Sequence, residues 1–332
     1  AMKEDAEKWR MYSRVNMYRL IHMLHVICAN YTHSHVVHQM PEDYRELLDE
    51  IIFTDRKNKP DYIEALVSAS VDNGIAGELI CAMCELVQQL MIDRLHIIGD
   101  IFDRGYDVLP LLWLMYKLEQ EAADAGGAAV LLLGNHEGMV LAGDVRYTRG
   151  KYLETARQLG MENYRQLFSP DTELGRWLAT RNTMLRIGRN LFVHAGLSAR
   201  LLERDLEMDT LNARMSEGLY RTSKERREDP TLEFLYRSAG PVWYRGMVCT
   251  DEKYDPLTPE QTDALLRRYD ADRLLVGHTI FPDISTFHDG RVIAVNVQNE
   301  LNRRKNRGRA VLIEGSRISV VGNRGVKRVL EE

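Results

Sequence analysis

Apolar positions change their rhythm once along this chain. From residue 7 to 92 they recur at helical spacing, as in Leu20, Ile21, Leu24 and Ile27, with breaks at Pro41, Pro60 and Gly74. The spacing predicts helix after helix there, and no strand. From Leu95 onward the pattern becomes short apolar runs, Leu95 to Ile98, Val130 to Leu133, Leu191 to Val193 and Leu274 to Val276, separated by helical or loop segments. Strands feeding crossovers produce this alternation, so the second region is expected to be α/β. A helix from Val108 to about Asp124 should stop at Gly126-Gly127. Near the end, Val292 to Val297, Ala310 to Ile313 and Ile318 to Val321, with Glu314-Gly315 between the last two, predict strands closing a sheet with a hairpin.

Each of the four apolar runs leads into a side chain able to bind a metal: Gly99-Asp100, Gly134-Asn135, His194 and Gly277-His278. In open α/β sheets, loops from the carboxyl ends of separate strands converge on ligands, and glycine beside a ligand permits a tight turn. Taken singly, each residue has a plainer explanation. His194 or His278 would be a satisfied core histidine, Asp100 or Asn135 a helix N-cap, and Asp103-Arg104 a loop ion pair of small value. Taken together, these would require six polar groups to reach strand ends by accident. Asp100, Asn135, His194 and His278 offer a carboxylate, an amide oxygen and two imidazoles, a donor set suited to a divalent ion such as Mn²⁺, Fe²⁺ or Zn²⁺. An ion so held acidifies water for attack on phosphorus. His136 can then protonate the departing alkoxide, Asp103 can orient that imidazole, and Arg104 can present a planar fork to the phosphoryl oxygens.

Composition mostly excludes. The balance of 44 basic against 49 acidic side chains gives a net charge of −5. The basic runs, Lys224, Arg226 and Arg227 and then Arg303, Arg304, Lys305, Arg307 and Arg309, lack interleaved aromatics. They read as solvated loops, and no nucleic-acid partner is expected. No apolar stretch approaches the roughly 18 residues that span a bilayer, and the amino terminus lacks the apolar core of a secretory signal. The cytoplasm is the expected location, with no membrane partner. Four cysteines form no spaced disulfide framework. Cys81 and Cys84 make one CxxC within a helically spaced stretch, and no second follows, so a buried structural pair is expected. Ala1-Met2 reads as a cloning remnant ahead of a chosen start.

Gly99-Asp-Ile-Phe-Asp-Arg-Gly105, Gly134-Asn-His-Glu137, Val193-His-Ala-Gly-Leu197 and Gly277-His-Thr279 together resemble the motif set of the calcineurin-like metallophosphoesterases, in their phosphoprotein phosphatase branch. From Tyr106 to the end, with Leu174-Gly-Arg-Trp-Leu178 and Gly240-Pro-Val-Trp-Tyr-Arg-Gly246, the chain is similar to bacterial Shewanella-like phosphatases. The first third, through Met17-Tyr-Arg-Leu-Ile, Ala29-Asn-Tyr-Thr-His-Ser and Leu90 to Gly105, resembles class III fructose-1,6-bisphosphatases, which makes the sequence look like a composite joined near Gly99 to Gly105. The resemblance implies an α/β sandwich of two mixed β-sheets flanked by helices, with a helical region over 1–92 and a catalytic domain over 93–332. It also implies that Arg245 joins Arg104 as a phosphate clamp, and that Asp100 bridges two metals, with Asn135, His194 and His278 completing the second. The substrate would be a phosphoprotein or a sugar phosphate such as fructose 1,6-bisphosphate, with a non-catalytic phosphate-binding module as a further reading.

Both families begin with Asp-x-His-Gly, which holds the first metal, and no Asp-x-His precedes Gly99 here. His33 and His35 lie two apart, a spacing that does not share a helix face, so they and His38 are expected to be core or solvent histidines rather than substitutes. Impaired turnover is the expected consequence, unless an upstream segment supplies the missing strand.

Overall fold

The structure is a computed structural model that describes residues 94–124, 126–298, 308–322 and 325–331. The helical reading of 1–92, the Cys81 and Cys84 pair, and His33, His35 and His38 lie outside these residues. The chain divides into two compact units. One comprises 96–105 and 131–298, and the other includes 106–130 and the carboxyl-terminal strands.

The first strand, β1 (Arg94–Ile97), is followed by helix α1 (Val108–Asp124) and β2 (Ala128–Leu131); β1 and β2 form a two-stranded sheet. The helix ends where its sequence requires. Gly126 takes φ +80°, and the Gly126 and Gly127 amides donate to the carbonyls of Ala123 and Ala122, at 3.0 and 2.7 Å. These bonds satisfy carbonyls that have no partner inside the helix.

A short helix, α2 (Asn135–Leu141), follows, and then the main sheet of the larger unit, built from β3 (Met184–Ile187), β4 (Asn190–Val193), β5 (Arg273–Val276), β6 (Ser285–Phe287) and β7 (Val292–Ala294). Its spatial order is β3-β4-β5-β7-β6; the central pairs are parallel and the outer pairs antiparallel, which makes the sheet mixed. Leu191, Val193, Leu274, Val276, Val292 and Ala294 are buried in one core with Leu211, Met215, Leu265 and Leu266. Central strands with both faces covered favour such unbroken apolar runs. The helix that carries Leu265 and Leu266, α3 (Pro259–Arg268), has Pro at its start and a reciprocal cap between Thr258 and Gln261.

In the smaller unit, β8 (Ala310–Glu314), β9 (Arg317–Gly322) and β10 (Gly325–Glu331) form an antiparallel sheet of three. The β8-β9 hairpin turns at 315–316, where Gly315 has φ +63°. Val292 to Val297 does not join this hairpin in one closing sheet, as its apolar run leads one to expect: β7 ends at Ala294 and lies between β5 and β6 in the mixed sheet. An apolar run marks a strand but does not name its partner. The expected solvated run at Lys224 to Arg227 also needs correcting at Arg226. Its guanidinium is buried, lies 3.6 Å from the Tyr236 ring centre, and donates to the carbonyls of Gly138, Gly218 and Leu219.

Candidate metal centre

Register sets the geometry of the site. Val193 of β4 pairs with Val276 of β5 in parallel, so the residues after them, His194 and Gly277-His278, leave the sheet side by side. The Gly277 amide donates to the His194 carbonyl at 2.7 Å. Asp100 follows β1 through Gly99, and Asn135 opens α2 with Gly134 as its N-cap. No helix begins at Asp100, whose backbone is left-handed at φ 61°, so the N-cap reading fails for it. Gly99 and Gly134 are there for close approach. A Cβ on Gly99 would stand 2.6 Å from the Gly134 nitrogen, and Gly99 itself has φ +78°. Gly99→Ala is therefore expected to cost about 2 kcal/mol or more, combining left-handed strain with a backbone clash. The check is a urea titration, in which an unchanged midpoint would contradict the packing described.

Ligand atoms of Asp100, His194 and His278 lie within 4.8 Å of one another. The His194 Nδ1 sits 2.7 Å from the Ile98 carbonyl, a contact that assigns the proton to Nδ1 and leaves a lone pair on Nε2. That Nε2 faces Asn135 Oδ1 at 3.0 Å and Asp100 Oδ1 at 3.2 Å. The Asn135 amide is oriented by its Nδ2 contact to Met139 Sδ at 3.9 Å. His278 Nε2 is buried with no hydrogen-bond partner among the described residues. Lone pairs aimed at one another repel unless a cation or a proton lies between them, and buried polar atoms are seldom left unpaired. The donors thus fit a divalent ion.

Electrostatics favour the same ligand states at His278 and Asp100, and oppose them at His194, where the Asp100 carboxylate favours the charged imidazole until a cation takes the proton's place. Burial pushes the His278 imidazole down to about 2, and the neighbouring His194 and Arg245 push in the same direction, so it is neutral and can donate its lone pair. Burial alone would raise the Asp100 carboxyl, but His194, His136 and His278 overcome it and hold the group below the usual carboxylate range. Burial would lower His194, and the Asp100 carboxylate outweighs it, so the net direction is upward.

Beside these donors lies a carboxylate and imidazole pair. His136 Nδ1 is 2.7 Å from Asp103 Oδ2, and the other Asp103 oxygen accepts from Thr148 Oγ1 at 2.6 Å. The His136 amide donates to Asp100 Oδ1 at 3.3 Å. Arg245 donates from Nη1 to Thr279 Oγ1 at 2.9 Å and to the His278 carbonyl at 3.4 Å. Arg104 lies over the Tyr147 ring, 4.9 Å from its centre. All eight residues singled out from the sequence therefore meet in one place. Asp103, Arg104 and His278 share Asp100's left-handed backbone, with φ of 65°, 50° and 59°.

Three participants had escaped notice. Glu137 figured only as a motif letter, yet its fully buried carboxylate accepts four backbone N–H groups. Those of Asp100 and Gly134 reach Oε2 at 3.0 and 2.7 Å, and those of Ile101 and Phe102 reach Oε1 at 2.8 and 3.1 Å. Burial and the Asp100 charge push this carboxyl upward, against the pull of the amides. Thr148 and Tyr147 lie far from Asp103 in sequence, and no periodicity pairs them with it.

Comparisons with known proteins bear on the family. A family model described as calcineurin-like phosphoesterase matches residues 82–282, and one described as Firmicute fructose-1,6-bisphosphatase matches residues 1–146. The class 3 fructose-1,6-bisphosphatase of Clostridioides difficile (strain 630) is 40% identical over 96 residues, which cover 28% of this chain and 14% of the relative. Its counterpart in Clostridium tetani is 38% identical over 103 residues, 30% of this chain and 15% of the relative. The match thus spans a small part of those relatives' length. A crystal structure described as the cold-active protein-tyrosine phosphatase of a psychrophile Shewanella sp. is 34% identical with a TM-score of 0.65, covering 71% of this chain and 69% of that one. Because one family accounts for both the matched segment 82–282 and the donors at its strand ends, the chain belongs to the calcineurin-like phosphoesterases.

Proposed function

We propose that this protein is a metal-dependent phosphatase acting on phosphate monoesters, with its catalytic domain over 93–332. The observation that carries the reading is the convergence of the unpartnered His278 Nε2 with His194 Nε2, Asn135 Oδ1 and Asp100 Oδ1, beside the His136 and Asp103 pair. Asp100, Asn135, His194 and His278 would hold the ion, Mn²⁺ first and Fe²⁺ or Zn²⁺ as alternatives. When bound, it supplies positive charge to the phosphoryl oxygens and acidifies water at neutral pH. Arg104 and Arg245 bind the remaining phosphoryl oxygens through their planar forks. His136, held by Asp103 through Nδ1, delivers a proton from Nε2 to the leaving oxygen. Residues 1–98 contain no Asp-x-His, so the ligands of one metal position are those present in this sequence.

A phosphorylated protein side chain is the favoured substrate. The support is the likeness over 71% of the chain to a protein described as a protein-tyrosine phosphatase. Fructose 1,6-bisphosphate is the second reading, supported by the match over residues 1–146. Cytoplasmic residence belongs to the proposal, and no described helix is long and apolar enough to cross a membrane. The test is to measure bound metal together with hydrolysis of an aryl phosphate, a phosphopeptide and fructose 1,6-bisphosphate in Mn²⁺. About one ion per chain and turnover of the phosphopeptide are expected. Phosphate binding without hydrolysis in excess Mn²⁺ would replace the enzyme with a binding module, and a metal-free inert protein would overturn the proposal.

A further inference from the structure

The segment after α2 is fastened to the motif loop at several points. The Arg104 amide donates to the Tyr147 carbonyl at 3.1 Å, Thr148 Oγ1 donates to Asp103, and Arg149 Nε donates to the Arg104 carbonyl at 2.5 Å. At the centre of these tethers Tyr147 is 44% exposed. Its ring centre lies 5.4 Å from that of His136, edge to face, with Arg104 on it at 4.9 Å and Arg146 at 6.0 Å. Arg146 is itself anchored by Asp144, whose Oδ1 accepts from Arg146 Nε at 2.9 Å.

We propose that Tyr147 is a specificity-determining residue that forms the wall of the leaving-group subsite and selects phosphate esters of planar aromatic alcohols over those of small aliphatic ones. The inference rests on the phosphatase reading, and on His136 as the proton donor within it. A group that protonates the leaving oxygen must lie within hydrogen-bonding distance of it. Whatever carries that oxygen therefore sits beside His136, and so beside the exposed ring that His136 touches. A flat aromatic leaving group can stack on this ring or meet it edge-on, and both arrangements add attraction beyond simple area burial. The backbone that carries the ring is held by the Arg104 and Thr148 tethers, and the ring itself lies against His136 and Arg104, so little freedom is lost when it is covered. A seryl side chain offers no flat face to cover it.

The test uses the full chain in Mn²⁺ and two peptides of one sequence, carrying phosphotyrosine or phosphoserine at the same place. Tyr147→Ala is expected to lower kcat/KM for the phosphotyrosyl peptide roughly 3- to 10-fold. The loss on the phosphoseryl peptide should be at least about threefold smaller, and Tyr147→Phe, which keeps the ring, should behave as wild type on both. Affinity for phenylphosphonate against methylphosphonate gives the same comparison without turnover, and only the former should weaken in Tyr147→Ala. Equal losses on both peptides would mean that the ring only positions His136, and would overturn the assignment. So would no loss on either, or a Tyr147→Phe loss as large as that of Tyr147→Ala. Wild-type protein inert on both peptides is a different result, which overturns the phosphatase reading and this inference with it.

Discussion

Replacing His136 with Asn is expected to lower kcat on an alkyl phosphate or phosphoseryl peptide on the order of 10²- to 10⁴-fold, the usual contribution of a positioned general acid. Asp103 is held by Thr148 and holds the imidazole at 2.7 Å, so Nδ1 is committed and Nε2 is the nitrogen left for proton transfer. The loss should shrink sharply for a nitrophenyl ester, whose leaving group needs no proton. Mn²⁺ binding should persist, because His136 is not among the clustered ligand atoms. Wild-type turnover of the alkyl ester by the variant would remove His136 from this role, and a uniform loss on both esters would assign it to substrate binding.

The second large effect is on stability. Glu137→Ala would leave the amides of Asp100, Ile101, Phe102 and Gly134 without their acceptor inside a fully buried site. Each orphaned amide costs roughly 1–3 kcal/mol, and water entering the vacated space recovers part of the sum, so a loss on the order of 4 kcal/mol is expected. Glu137→Gln should also be damaging, since its NH₂ would turn a donor toward two N–H groups. Chemical denaturation of both variants checks this, and a change below about 1 kcal/mol for Glu137→Ala would show that other contacts define the loop.

The centre was legible because its ligands follow apolar runs in sequence order. Asp100, Asn135, His194 and His278 each follow a strand, and the parallel pairing of Val193 with Val276 sets His194 beside His278. The α1 boundaries were equally plain, since glycine stops a helix by a local mechanism. What escaped notice depended on contacts between distant segments. Glu137 resembles any acidic residue in a first helical turn until the chain folds back and brings three motif-loop amides onto it. Arg226 sits in a charged stretch, and nothing local foretells that it will lie on Tyr236 against three carbonyls. The placement of β7 failed for the same reason, because strand partners are settled by the whole sheet.

The backbone at Asp100, Asp103, Arg104 and His278 carries a lesson for anyone who would redesign this protein. Each holds a left-handed conformation that glycine would adopt at lower cost. A redesign scored only on backbone strain would favour Gly at all four positions, and would delete two proposed metal ligands, the proposed partner of the proton donor and a proposed phosphate clamp. A variant library that tracks melting temperature without activity is the screen in which such losses would pass unseen.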